Sequence, residues 1–220
     1  MNWELARNSI WPLLQGALTG TIPLTLLSFA FGLVLALFVA IAKLSSIRAV
    51  SLIGSFYVSL IRGTPLLVQL FIVFYGLPYI GLMIDPYPSA VIAFTLNVGG
   101  YAAESIRGAI LAVPKGQWES AAACGMSHWM TLRYVILPQA ARVAVPPLSN
   151  TFIGLVKDTS LASVVMVTEL LRRAQIVATP TYDFLTLYIL AALIYWPICA
   201  ILSYIQKRLE TSLNRHVVAY

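Results

Sequence analysis

Charge is scarce in these 220 residues: 10% are Asp, Glu, Lys or Arg, while 60% are hydrophobic. Soluble domains carry about 25% charged residues, so this composition belongs to the membrane class and excludes an ordinary water-soluble domain. Cysteine and histidine are nearly absent, with Cys124, Cys199, His128 and His216 the only ones. Neither pair has metal-ligand spacing, and two lone thiols make no disulfide framework. Each cysteine reads as a small apolar filler. The same shortage leaves an intramembrane enzyme without a nucleophile and its base. No GxxxxGK[ST] phosphate-binding loop occurs. A basic start is also missing: Met1-Asn2-Trp3-Glu4 does not open a cleavable signal, and the apolar run that follows is too long for a signal core.

What is present is apolar sequence in long pieces. Residues 8–42, 63–84, 86–103 and 184–206 carry no charge. A bilayer core needs about 20 apolar residues as helix. The first, second and last runs meet that length, and the third meets it when extended past Glu104 to about Ala112. A further span, about Val135 to Val156, keeps Arg142 near one end, reaching toward the headgroups. The expectation is an all-α integral membrane protein with about five transmembrane helices, at about 14–42, 64–84, 90–112, 135–156 and 184–206. The net charge of +6 points to lipid rather than nucleic acid, because Lys and Arg sit between apolar runs, where they orient a chain in the bilayer. An outside N-terminus and a cytoplasmic C-terminus place ten of the 14 Lys and Arg inside, Arg215 among them. Lys157, Arg172 and Arg173 are then outside, and that segment fits better packed against protein. Glu169, Arg172 and Arg173, at helical spacing, are expected to brace one another or a partner.

Breaks in the apolar pattern carry the rest of the information. Gly16 and Gly20 permit close helix approach. Ser51, Ser55 and Ser59 recur every four residues as one polar stripe on a helix, suited to the interface. Arg62-Gly63-Thr64-Pro65 then interrupts the helix, since proline removes a donor and pushes Thr64 out of helical geometry. Two readings stand: a helix start, or a hinge or site wall. Tyr75–Ser89, rich in Gly, Pro and Tyr, reads as an external loop with aromatic anchors. Arg107 is three residues after Glu104 and can pair with it; alternatively Glu104 or Asn97 lines a cavity, the default for polar groups within a span. Pro146-Pro147 cannot continue a regular helix without stress.

The longest structured interruption is Pro114–Pro138. It predicts two short helices, with Gln117–Cys124 the first and Glu119 in its first turn, where a helix dipole favours a carboxylate. Ala121, Ala122 and Ala123 form a surface that another backbone can approach closely. Gly125 suits a left-handed helix end, and Ser127 can cap the next helix. On the charge count this rigid knob, residues 114–134, faces the cytoplasm.

WESAAACG followed by VILP resembles the EAA-loop signature of ABC-importer permeases. Glu119 and Gly125 have the signature's spacing, and Leu137 and Pro138 match it; Ser120 and Val135 depart from it conservatively. IRGTPLLVQLF (61–71), AVPKGQWESAAACGMS (112–127), VILPQAARVAVPPLSNTFIGLVKDTSLAS (135–163) and the tail through LETSLNR (209–215) are similar to the polar amino acid permease subfamily, with the C-terminal half most similar to L-cystine permeases. The resemblance implies one transmembrane domain over 1–220 in a bacterial inner membrane. It works as a dimer with a second copy or paralogue. Two ATP-binding cassette subunits hold the ATP and Mg, no cofactor is bound by this chain, and an extracytoplasmic amino-acid-binding protein delivers cargo. The missing phosphate loop agrees with that division of labour. Glu119, Ala121, Ala122, Ala123, Gly125 and Ser127 are then the ATPase-coupling surface. Asn97, Glu104, Lys157, Asp158, Thr159 and Ser160 are the expected substrate path, with Asp158 taking an amino acid's ammonium and Lys157 its carboxylate, or else those two charges simply pairing with protein. Cystine is the expected cargo, with arginine, histidine or glutamine as alternatives. The rival of another class is a secondary transporter, which would commonly show inverted repeats; no repeat relates the two halves.

Overall fold

A computed structural model describes residues 2–214; Arg215 and His216 lie outside them. Among the described residues the chain is helical throughout, with no strand. α1 (Trp3–Gly16) runs through a π turn, Ala17–Thr21, into α2 (Ile22–Leu44). α3 (Arg48–Gly63) and α4 (Leu66–Phe71) are separate, and α4 continues through a π turn, Ile72–Gly76, and a 3-10 turn, Leu77–Ile80. α5 (Pro86–Leu111) follows, then α6 (Lys115–Ala123) and α7 (His128–Thr131). A third π turn, Leu132–Ile136, leads into α8 (Leu137–Asp158), which tightens to a 3-10 turn, Thr159–Val165. α9 (Leu170–Thr181) and α10 (Phe184–Asn214) complete the chain.

All three π turns share a cause readable in the sequence. Each is followed at its second residue by a proline: Pro23, Pro78 and Pro138. The absent N–H leaves the carbonyl four residues back, on Thr19, Phe74 and Tyr134 respectively, without its regular partner, and the wider turn absorbs the mismatch. The diproline behaves differently from expectation. α8 continues through Pro146 and Pro147 without a break. The two carbonyls that lose a donor belong to Arg142 and Val143, both on the exposed side, so the loss is not sealed inside the protein.

Two continuous stretches, Trp3–Leu44 and Phe184–Leu213, are long and apolar enough to cross a bilayer. Two bent pairs qualify when taken together: Arg48–Gly63 with Leu66–Ile80, bent by 107°, and His128–Val165 with Leu170–Thr181, bent by 45°. α5 is not among them although it has 26 residues. Its position explains why. α2, α3, α4 and α8 surround it, and Ala90, Ala93, Phe94, Val98, Ala102 and Ala103 are buried along it. Its solvent is protein, and small residues that let helices approach serve it better than lipid-facing ones.

The expected break at Pro65 is real. Thr64 and Pro65 are extended and α4 begins at Leu66. α3, which carries the serine stripe, packs on α2 and α5. Ser51 Oγ donates to the Lys43 carbonyl at 3.1 Å, and Tyr57 OH donates to the Leu96 carbonyl at 2.6 Å. The helix therefore climbs from the end of α2 to the middle of α5, and the break sits at that middle level.

A second helix group joins α1, α9 and α10 through Leu13, Leu170, Ala174 and Leu187. Gly20 makes the closest approach: a Cβ there would stand 2.6 Å from Glu169 Cα. Glu169 is fully buried and caps α9, accepting from the Leu171 and Arg172 backbone N–H groups at 2.9 and 2.7 Å and from Tyr195 OH at 2.8 Å. It braces backbone and a tyrosine, not the side chains of Arg172 and Arg173 as the spacing suggested. Arg172 instead donates to Gln175 Oε1 at 3.3 Å.

Candidate functional site

Two features stand on the same pair of helices, α5 and α8. The first is a polar pocket of about 210 Å³, walled by Asn97, Val98 and Tyr101 of α5, Thr151, Gly154, Leu155 and Asp158 of α8, and Leu66 at the start of α4. The second is the knob built by α6 and α7. A larger cavity of about 380 Å³ between α2, α8 and α10 has an almost wholly apolar lining.

The pocket wall is held by one side chain that sequence reasoning passed over. Gln69 is buried, and its amide Nε2 donates to the Ile61 carbonyl at 2.8 Å, the Thr64 carbonyl at 3.1 Å and Thr64 Oγ1 at 2.9 Å. Those carbonyls lose their helical donors at the Thr64–Pro65 break, and irregular backbone at membrane depth requires such a partner. Gln69 Oε1 in turn accepts from Asn97 Nδ2 at 3.0 Å. The signal was visible as the lone amide in the charge-free run 63–84; its partners were not. Tyr101, Thr151 and Gly154 were also missed, being ordinary residues in a helical pattern.

Asp158 is the last residue of α8 and half-buried. The helix continues beyond it into the 3-10 turn, and no salt bridge to Asp158 forms among the described residues. The other expected path residues are elsewhere. Lys157 is exposed and outside the lining. Thr159 is buried and donates to the Val156 carbonyl at 2.7 Å, and Ser160 donates to the Lys157 carbonyl at 2.7 Å. Glu104 is outside the lining, three residues beyond Tyr101, and is shared by two cations: Lys43 Nζ at 2.5 Å, and Arg107, whose Nε stands 3.1 Å away. The pair with Arg107 is the one its spacing suggested; Lys43, from the end of α2, was not foreseen.

The knob is stiff. α6 starts at Lys115, two residues earlier than expected, because extended Pro114 already forms its N-cap. Glu119 consequently sits in the second turn, exposed, not in the first turn where the dipole is strongest. Gly125 has φ +76°. Its N–H donates to the Ala122 carbonyl at 2.9 Å, and the Met126 N–H donates to the Ala121 carbonyl at 3.1 Å. That double closure is the Schellman helix end. Ser127 Oγ accepts from the Met130 N–H at 3.3 Å and caps α7. Trp118 stacks on His128, 5.2 Å between centroids. Of the three alanines, Ala121 is buried against the protein while Ala122 and Ala123 are exposed beside Glu119. The knob is seated by Trp118 and Leu132 on a cluster formed by Ala109 and Val113, from the foot of α5, with Ile136, Ala140 and Ala144, leading into α8. Among the described residues no group of His, Cys, Asp and Glu could hold a metal ion.

Residues 32–215 match the family model described as binding-protein-dependent transport system inner membrane component. The chain belongs to this family. Among relatives of this inner membrane component, the L-cystine transport system permease protein TcyB of Bacillus subtilis is 57% identical over 216 residues, 98% of this chain and 92% of that protein. The glutamine transport system permease protein GlnP of Escherichia coli K12 is 38% identical, covering 92% of this chain and 95% of that one. Among solved structures, an amino acid ABC transporter crystallised with histidines superposes with a TM-score of 0.87 at 38% identity, over 91% of this chain and 94% of that one. The inward-facing MetNI methionine ABC transporter superposes with a TM-score of 0.71 at 19% identity, a likeness of fold. The chain thus has the all-helical permease fold of its family.

Proposed function

We propose that this chain is the permease subunit of a binding-protein-dependent ABC importer that moves a polar amino acid, with L-cystine as cargo, across a bacterial inner membrane. The observation that carries this reading is the shared support of pocket and knob: α5 and α8 wall the polar pocket and their feet clasp the knob. Force applied at Glu119, Ala122, Ala123 and Gly125 reaches the pocket through two helices rather than through a flexible linker. The cargo is supported by the 57% identity to a cystine permease. Arginine, histidine or glutamine is the second reading, favoured by the glutamine permeases among the relatives and by the histidines in the similar transporter. A secondary transporter has no comparable support.

In this reading five spans cross the bilayer, three as α1–α2, α5 and α10 and two as the bent pairs, with the N-terminus outside and the C-terminus cytoplasmic. Two ATP-binding subunits dock at the knobs of a permease pair, and ATP and Mg remain on them. A pocket of about 210 Å³ is below the roughly 300–1,000 Å³ of typical ligand sites, which fits a path completed by a second permease copy or paralogue. Asp158 and Asn97 supply the polar contacts to cargo delivered by an extracytoplasmic binding protein, and closure of the ATPase subunits rocks the helices between outward and inward access.

The test is reconstitution of the chain with its ATPase in proteoliposomes and a screen of labelled amino acids. ATP-dependent uptake of L-cystine ahead of arginine, histidine and glutamine is expected. Uptake driven by an ion gradient without ATP would overturn the class; ATP-dependent uptake of another amino acid alone would overturn the cargo.

A further inference from the structure

The pocket walls include a carboxylate, an amide, a phenol and a hydroxyl, but no cation. An amino acid zwitterion placed there with its ammonium on Asp158 leaves a carboxylate to be met. Lys157 is exposed and outside the lining, and Lys43 and Arg107 are both held by Glu104. One further cation touches the wall. Arg62 lies at the end of α3, and its guanidinium carbon stands 5.6 Å from the centroid of the Tyr101 ring. Tyr101 is itself part of the pocket wall.

We propose that Arg62, laid on Tyr101, receives the carboxylate of the transported amino acid and so sets the requirement for a free carboxylate; this rests on the pocket being the cargo path. Three observations carry it. Arg62 is exposed within the chain and pairs with no carboxylate among the described residues. It stands level with the middle of α5, where a cation faces lipid only at high cost and therefore marks a water-filled cavity or a pathway. It also immediately precedes the Gly63-Thr64-Pro65 break, whose next residue, Leu66, lines the pocket. The ring of Tyr101 holds the guanidinium by a cation–π contact that leaves its N–H fork available. A guanidinium fork meets a carboxylate with two parallel hydrogen bonds. The cargo would then bridge Arg62 from the α3 side and Asp158 from α8, two elements that move apart or together as the broken α3–α4 segment shifts.

The experiment is equilibrium binding to the purified permease–ATPase complex, with no binding protein present so that its own selectivity does not enter. L-Cystine, L-glutamine and L-arginine are each compared with the corresponding carboxamide. The wild type is expected to prefer the free carboxylate, and R62Q to lose about tenfold or more of that preference, the scale of one charged hydrogen bond. R62K should keep part of it, Y101F nearly all, and Y101A little. R48Q, on the same helix but far from the pocket, should match the wild type. If R62Q keeps the wild-type preference while D158N weakens every free amino acid, the pocket stands and the role of Arg62 is overturned. If neither R62Q nor D158N alters binding, or the complex binds none of the six compounds, the proposal falls together with the pocket.

Discussion

Asn97 on α5 donates its side-chain amide to Gln69 on α4 at 3.0 Å, and Gln69 spends its own amide hydrogens on the carbonyls exposed by the helix break at Thr64–Pro65. The pocket wall and the broken helix are therefore one hydrogen-bonded unit. A side-chain amide carries two N–H donors and an acceptor and so serves both sides at once, whereas a hydroxyl has a single hydrogen to donate.

Replacing Gln69 by leucine keeps the volume and removes every one of these bonds. Buried carbonyls left unpaired cost about 1–3 kcal/mol. Q69L is expected to lower the thermal unfolding midpoint of the purified protein clearly more than N97A, which leaves the break satisfied. The double variant should lose less than the sum, since both remove one shared contact. Equal midpoints for Q69L and wild type would contradict this.

Glu104 binds Lys43 from α2 and Arg107 from its own helix, with side-chain exposures of 25%, 13% and 30% respectively. E104Q strands two cations, whereas K43M leaves Glu104 still paired with Arg107. The expected loss for E104Q is about 2 kcal/mol, under the roughly 3–5 kcal/mol of a fully buried broken pair, and K43M should cost less than half of that. Denaturant or thermal unfolding in detergent measures both; a larger loss for K43M would show that the bridge to α2, not the carboxylate's solvation, dominates.

Gly125 is fixed by its backbone, not by space, since a Cβ there would meet nothing within 4 Å. At φ +76° a non-glycine residue costs roughly 1–2 kcal/mol, and asparagine suffers least. G125V is expected to loosen the knob and reduce ATP-driven uptake, while G125N retains most of it. Equal uptake by the two variants, both correctly inserted, would mean that this turn is not needed for coupling.

How much of this was legible in the sequence depended on the range of the interaction. Local chemistry read well: Pro65 broke a helix, Gly125 ended one and Ser127 capped the next, because each acts within four residues. The start of α6 was misread by two residues because Lys115 and Gly116 look like loop, yet Pro114 can cap a helix as well as end one. The diproline looked like a break because the sequence does not reveal that its freed carbonyls face outward. Glu169 looked like an ion-pair partner of Arg172 and Arg173; that it is buried against Gly20 and Tyr195 follows from the π turn after α1 and from α10, both distant in the chain. The expected span at about 90–112 is α5, and its run of buried alanines, readable in the sequence, fits a helix enclosed by others. Of the expected path residues, Asn97 and Asp158 converge on the pocket from 61 positions apart, and Glu104, Lys157, Thr159 and Ser160 lie outside its lining. Nothing in their local sequence distinguishes the two sets.

In the proposed cycle the exposed face of α6 delivers the work of a separate ATPase to α5 and α8. The most direct test of this coupling is the ratio of amino acid imported to ATP hydrolysed by proteoliposomes carrying the permease and its ATPase, with E119K beside wild type at equal insertion. Glu119 is exposed and away from the pocket, so a charge reversal there should leave cargo binding intact. The ratio is expected to fall at least about tenfold, the effect of roughly 1.4 kcal/mol at one contact. An unchanged ratio, with normal uptake by E119K, would contradict it.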